Sequence, residues 1–248
     1  MLKASVQKLL NSLGFDVIRF ATNFSPEELE IMRKVKPHTA TSQGRLVGMI
    51  DAVKYIAANR IEGAIVECGV WMGGSTMAAL YALQSLGDTS REIYMYDTFE
   101  GMSAPTEKDV MFDGTPAKAV LIESERQDGA INYWCFMGVE AVRRNILATG
   151  YPEKRLHFVK GKVEDTLPTH LPGKIALLRL DTDWYESTKH ELTHLYPLLA
   201  PNGVLIIDDY GHWQGAKQAV EEYFAGLKVR PFLSRLDYTG RLVIKPGT

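Results

Sequence analysis

Cysteine is scarce in this chain of 248 residues. The two present, Cys68 and Cys135, lie far apart and form neither a metal-ligand spacing nor a disulfide framework, which favours a reducing cytoplasm. Net charge is scarce as well. The basic residues nearly balance the acidic ones, leaving −2, so no nucleic-acid partner is expected. Long apolar runs are missing: none approaches the ~18 residues of a membrane span, so no membrane partner is expected either. The opening stretch, MLKASVQKLLNSLGF, does not make a secretion signal, because Gln7, Lys8, Asn11 and Ser12 interrupt any apolar centre. Internal repeats and low-complexity tracts are absent.

What is present is the material of a sizeable core. The chain is 46% hydrophobic and 23% charged, as globular proteins are, and its length suits one large domain or a domain with extras. Leu2, Val6, Leu9, Leu10 and Leu13 repeat at helical spacing. They predict a surface helix packed on its own domain, an arm of a homo-oligomer, or a flap over the active site. A further helix is expected at 44–58. Residues 1–60 therefore read as an N-terminal helical segment, and 61–248 as the main domain.

From residue 64 the pattern alternates. Strands are expected at 64–67, 92–96, 156–159, 175–180 and 204–207, most of them near-continuous apolar runs, as a sheet covered on both faces requires. Helices are expected between them at 75–86, 138–147, 187–199 and 215–225. The alternation predicts an α/β, doubly wound sheet. Segments 231–236 and 241–244 add a terminal antiparallel hairpin. Residues 101–137 break the rhythm, where connections of about 2–6 residues are usual. That stretch holds a short helical piece, AKAVLIESE, and an aromatic cluster of Tyr133, Trp134 and Phe136. It reads as an ordered lid insertion whose cluster contacts the substrate.

The first strand runs into ECGVWMGGST, with Glu67 at its tip, Gly69, Gly73 and Gly74 following, and Ser75 at a helix start. Neither the dinucleotide fingerprint nor the phosphate-cradling loop with its lysine is present, so a pyrophosphate ligand is disfavoured. Asp97 ends the second strand, where an acid can take both hydroxyls of a ribose. A glycine loop plus a ribose acid without a phosphate site describes S-adenosylmethionine (SAM) better than NAD. Glu67 and Asp97 as simple loop caps are the alternative.

Two other strands end in acids. KIALLRLDTDWYEST carries Asp181 and Asp183, and GVLIIDDYGH carries Asp208 and Asp209. Neighbouring parallel strands are roughly 4.8 Å apart, so Asp181, Asp208 and Asp209 can converge at the carboxyl edge, where open α/β sheets bind ligands. Three oxygen donors without Cys or His predict Mg²⁺ or a similar hard cation. Solvated turn carboxylates are the alternative, and Asp183 reads as an Asx turn. His212 follows closely and is a candidate substrate contact and reserve base.

Together ECGVWMGGST, YDTFEGM, FVKGKVEDTLP, LRLDTDWYEST and GVLIIDDYG resemble the macrocin O-methyltransferase family, over about residues 41–225. Its members are SAM-dependent enzymes that methylate sugar hydroxyls of antibiotics. The resemblance implies a class I SAM-dependent methyltransferase (Rossmann-like) sheet with Mg²⁺ at the substrate site. It implies metal ligation by Asp181, Asp208 and Asp209, with Asp181 also the base. It places SAM on Glu67, Cys68, Gly69, Ser75, Asp97, Thr98, Phe99, Lys162 and Val163. The expected reaction is methyl transfer from SAM to a hydroxyl of a glycosylated small molecule. A catechol-like phenol acceptor stackable on Trp71, Trp134 or Trp184 is a second reading. A non-catalytic SAM- or metal-binding protein and a metal-dependent hydrolase are more remote ones.

Overall fold

The near-continuous apolar runs form the interior strands of one seven-stranded sheet in the computed structural model, which describes residues 23–125 and 134–247. The strands are β1 (Ala64–Cys68), β2 (Ile93–Asp97), β3 (Leu156–Lys160), β4 (Ile175–Leu180), β5 (Leu199–Ile207), β6 (Ser234–Arg235) and β7 (Arg241–Ile244). Across the sheet they lie in the order β3-β2-β1-β4-β5-β7-β6. β1 to β5 are parallel, and β7 runs antiparallel between β5 and β6. The chain winds one way from β1 to β3, then returns to the other side of β1 with β4. The crevice at that reversal is where such sheets bind ligands.

Helices cover both faces. α1 (Pro26–Val35), α2 (Gln43–Ala58), α3 (Gly74–Ser85) and α5 (Val139–Leu147) share one apolar cluster, in which Ile31, Val35, Ile50 and Val53 meet Leu80 and Leu83. The described part of the N-terminal segment is thus built into the main core. A second cluster joins the opposite face to α7 (Tyr185–Leu195) and α8 (Gln214–Ala225), with the single turn α6 (Val163–Thr166) beside it. No helix among the described residues is long and apolar enough to cross a membrane.

The structure departs from the sequence reading in four places, and the first two have local causes. α1 was not anticipated. It starts at a capping box in which Ser25 Oγ accepts the Glu28 N–H at 3.2 Å, and Glu28 Oε2 accepts that of Ser25 at 2.8 Å. The helix expected to 199 stops at Leu195, because Pro197 cannot donate the next helical hydrogen bond and a 3₁₀ turn, Tyr196–Leu198, takes over. β5 then begins at Leu199, five residues early. The expected terminal hairpin is present, but its first arm pairs only at Ser234–Arg235. The helix expected from repeating leucines before residue 14 lies outside the described residues.

Residues 101–125 of the insertion are pinned to the domain. Asp109 is fully buried: Oδ1 accepts the Tyr185 N–H at 2.8 Å, and Oδ2 accepts that of Thr106 at 2.6 Å. Met111 bridges to Trp213, and α4 (Ala117–Glu125) places Ala117 and Leu121 against Trp184 and Trp213 in a small core of its own.

Candidate active site

Leu180 of β4 lies level with Ile207 of β5, so Asp181 and Asp208 leave the sheet side by side. The Asp208 N–H donates to Leu180 O at 2.9 Å, and that of Asp181 to Cys68 O at 2.8 Å, which continues the ladder one residue past the strands. One carboxylate oxygen from each of Asp181, Asp208 and Asp209 can be chosen so that all three lie within 4.8 Å of one another. The expected convergence is therefore present.

Sequence reasoning missed the cations among these acids. Arg179, in the last turn of the pleat of β4, is 3% exposed. Its guanidinium reaches Glu67 Oε1 at 2.6 Å, Asp181 Oδ2 at 2.7 Å and Asp208 Oδ1 at 2.5 Å. Arg45 of α2 pairs with the other oxygen of Asp208 and with Asp237 Oδ2 at 3.0 Å. The signal was legible: an arginine inside a strand buried on both faces must have counter-charges beside it. Burial works to lower the Arg179 pKa, but Asp181 and Glu67 outweigh it and raise it.

Asp183 was read as an Asx turn; instead it joins the cluster. Its Oδ1 accepts the Trp213 Nε1–H at 2.8 Å. Burial and the neighbouring Asp181 carboxylate lift its pKa to about 7. Burial, then Asp183 and Asp181, push Asp209 well above the usual carboxylate range. Two arginines do not neutralise this many acids, and the remaining crowding is what a divalent cation would offset. Behind the loop, Glu191 is fully buried and accepts from Thr182 Oγ1 at 2.9 Å, and burial pushes its carboxyl well above the usual carboxylate range. It braces the backbone between Asp181 and Asp183.

The turn after β1 crosses that loop. Gly69 has φ +81°, and a Cβ there would lie 2.0 Å from Asp181 O. Gly69→Ala is therefore expected to combine left-handed strain with a backbone clash and to cost roughly 2–3 kcal/mol, read by urea denaturation. An unchanged unfolding midpoint would mean the two turns are not packed this way. Asp97 latches the same turn: Oδ2 accepts from Val70 N at 2.7 Å and Trp71 N at 3.0 Å, and Oδ1 from Phe99 N at 2.6 Å. Much of its acceptor capacity goes to the backbone, leaving about one lone pair for a ligand.

These elements enclose a cavity of about 360 Å³, within the roughly 300–1,000 Å³ usual for ligand pockets. Gly69, Ser75, Asp97, Thr98, Lys162 and Val163 line it, and so do Asp181, Asp208, Asp209 and His212. Cys68 and Phe99 sit behind the wall, buried, and Glu67 is spent on Arg179 and Thr76. The segment from His38 to Thr41, before α2, also lines the cavity and was not anticipated. Of the aromatic cluster, Trp134 packs partly buried against the small core around Trp184 and Trp213, Phe136 is 66% exposed, and Tyr133 lies outside the described residues. Cys135, between them, lines the cavity, and burial pushes its thiol up to about 12.

A family model described as macrocin-O-methyltransferase (TylF) matches residues 33–244. A Streptomyces olivaceus relative, 8-demethyl-8-(2,3-dimethoxy-alpha-L-rhamnosyl)-tetracenomycin-C 4'-O-methyltransferase, is 33% identical over 203 residues, covering 82% of this chain and 74% of its own. Demethyldecarbamoylnovobiocin O-methyltransferase of Streptomyces niveus is 32% identical with the same coverage. The solved structure of the O-methyltransferase NovP superposes with a TM-score of 0.73 at 31% identity, over 84% of this chain and 82% of that one.

Proposed function

Since the chain belongs to the macrocin O-methyltransferase family, we propose that this O-methyltransferase moves the methyl group of SAM to a sugar hydroxyl of a glycosylated natural product, with Mg²⁺ or a similar divalent cation at the acid cluster. One observation carries the reading. The three convergent carboxylates share a cavity with the glycine turn and Asp97, so a methyl donor and an acid-bound acceptor would meet in one space.

The donor set fits a hard cation: three carboxylates, each oxygen with two lone pairs, so an oxygen already bonded to arginine can still ligate. Bound there, the cation would lower the pKa of an acceptor hydroxyl and fix its direction. The rest of the cavity fits SAM, which has an adenosine and an amino-acid end but no phosphate; its sulfonium methyl is electrophilic already. The chain's residues then have three tasks. The Gly69–Ser75 turn and Asp97 orient the donor, with Thr98, Lys162 and Val163 beside them. Arg179 and Arg45 hold Asp208 in place. A carboxylate accepts the hydroxyl proton as the methyl leaves sulfur for oxygen. Asp181 is one candidate for that proton. Asp183 is a second candidate, because Asp181 already serves Arg179 at 2.7 Å, whereas Asp183 stands beside it with Oδ1 accepting from Trp213. His212, whose pKa burial and then Arg45 lower, is the reserve.

A phenol acceptor would have Trp71 in the cavity lining, but not the face of Trp184. Trp184 is 3% exposed, packs edge-on against Trp213 at 5.0 Å and donates Nε1–H to Ser103 O, so its face is not open to a ring. The free thiols of Cys68 and Cys135 support a cytoplasmic setting. Incubating the enzyme with SAM and Mg²⁺ against panels of glycosides and catechols, read by mass spectrometry, tests the reading. Glycosides are expected to gain the mass of one methylene. Methylation confined to catechols would overturn the sugar assignment.

A further inference from the structure

The two helices that follow the acid-bearing strand ends lack caps of their own. α7 begins shortly after Asp181 and Asp183, and α8 shortly after Asp208 and Asp209. The residue before each helix is a tryptophan, Trp184 and Trp213, and neither side chain caps the helix it precedes. An indole only donates, so it cannot accept the N–H groups of a first turn. A serine or aspartate at either position would satisfy that turn locally.

The insertion meets these amides instead. Asp109 Oδ1 accepts the Tyr185 N–H at 2.8 Å, and the carbonyl of the next residue, Val110, accepts the Gln214 N–H at 2.8 Å. One dipeptide thus serves both helices. The buried Asp109 is held closely in turn. Thr106 N and Oγ1 donate to Oδ2 at 2.6 and 2.8 Å, and a Cβ at Gly215, in the first turn of α8, would collide with Oδ1. The indoles are left for other bonds. Trp213 Nε1–H donates to Asp183 Oδ1 at 2.8 Å, and the two rings meet edge-on at 5.0 Å. Burying a carboxyl group is a costly way to cap a helix, and a local cap serves stability as well. What the distant cap adds is a fixed spacing between two loops.

On the reading of the site given above, we propose that Asp109 is a positioning residue of the methyl transfer. Seated between the first turns of α7 and α8, it sets the spacing of the loop carrying Asp181 and Asp183 from the loop carrying Asp208 and Asp209. It does not line the cavity, so it acts through those loops. The acids that would hold the cation come from both of them, and Asp183 takes its hydrogen bond from Trp213 across the gap. A change in spacing therefore alters cation binding and the placing of the proton acceptor together. Asp97, after β2, is held by the glycine turn instead.

The test compares the wild type with Asp109→Ala, with Asp109→Ala/Gly215→Ala and, as a control, with Gln214→Ala. The control removes a side-chain tether to Met111 O and spares both caps. The double variant puts a methyl group into the space that Asp109→Ala vacates, so it regains packing without the cap. The readouts are kcat at saturating glycoside, SAM and Mg²⁺; calorimetric affinity for Mn²⁺ and S-adenosylhomocysteine; melting curves; and amide exchange by mass spectrometry. Both Asp109 variants are expected to lose about a hundredfold in kcat, the scale of a ~1 Å misplacement, with S-adenosylhomocysteine affinity within about twofold of the wild type. They should bind Mn²⁺ severalfold more weakly and exchange faster over 181–187 and 209–215. The double variant should melt nearer the wild type without recovering kcat, a split that a merely structural cap does not give. Gln214→Ala should match the wild type throughout. Wild-type kcat and Mn²⁺ affinity in either Asp109 variant, or kcat recovering in step with Tm in the double variant, overturns the positioning role and leaves the sugar reading standing. Should both variants fail to fold, Thr106→Val decides, because it is an exposed site and loses only the hydroxyl bond to Oδ2. A severalfold lower kcat at unchanged Tm then supports the role, and wild-type kcat overturns it. A wild type that methylates no glycoside overturns the functional reading, and Mn²⁺ affinity and amide exchange then judge the spacing by themselves.

Discussion

Arg179→Met is expected to destabilise the protein by roughly 3–5 kcal/mol at pH 8, the cost of leaving buried charges without their partner. The guanidinium is 3% exposed and bonds Glu67, Asp181 and Asp208 from three strand ends at once. Glu67 itself is 2% exposed, and burial already raises its pKa against the pull of Arg179. Without that cation Glu67 is expected to take up a proton in the folded state. A raised carboxyl pKa means that the folded state binds more protons than the unfolded one, so stability falls as pH rises through and beyond the usual carboxylate range. The variant should therefore lie closer to the wild type at pH 5 than at pH 8. Arg179→Lys should recover little, because a single ammonium cannot bridge three carboxylates as a planar fork does. Urea denaturation at both pH values checks this. A variant as stable as the wild type at pH 8 would mean that water reaches Glu67 and the triad of pairs is surface-like.

The sheet and the acid edge were legible because they rest on short-range rules. Apolar runs of five or six residues ending in acids, spaced by one helix, place Asp181 and Asp208 on adjacent strands, and the register of Leu180 with Ile207 delivers them level. What the pattern did not carry were interactions between distant segments. Nothing local says that Arg45 of α2 reaches Asp208, or that the turn holding Asp97 spends that carboxylate on the amides of Val70 and Trp71. Asp183 was misjudged for the same reason: an Asx turn and a crowded acid look alike until Trp213 and Asp209 are brought against it. Two signals were local and were overlooked, the Ser25–Glu28 capping box of α1 and the arginine inside LLRLD. Both follow from elementary accounting of helix ends and buried charge.

Activity is expected to depend on a divalent cation, and the acids around it are expected to divide by role. Excess EDTA should abolish turnover while leaving the affinity for S-adenosylhomocysteine nearly unchanged, since the cation would hold the acceptor rather than the methyl donor. Mg²⁺ should restore it. Asp208→Asn, which removes the one acid of the three held on both oxygens by arginine, should lower Mn²⁺ affinity by calorimetry and turnover by on the order of a hundredfold or more. Asp181→Asn should do the same and also disturb Arg179. Asp183→Asn is different: it keeps the hydrogen bond from Trp213 and relieves the repulsion with Asp209, so Mn²⁺ affinity should hold while turnover falls. Arg45→Gln should tighten Mn²⁺ binding severalfold, because the guanidinium competes for Asp208 as a like charge beside the metal. These four directions are hard to produce together unless the cluster is a metal site with its base alongside. Full activity in excess EDTA, from protein that carries no metal, would reject the site. Equal loss of Mn²⁺ affinity in Asp183→Asn and Asp208→Asn would make Asp183 a ligand, and return the proton to Asp181 or His212.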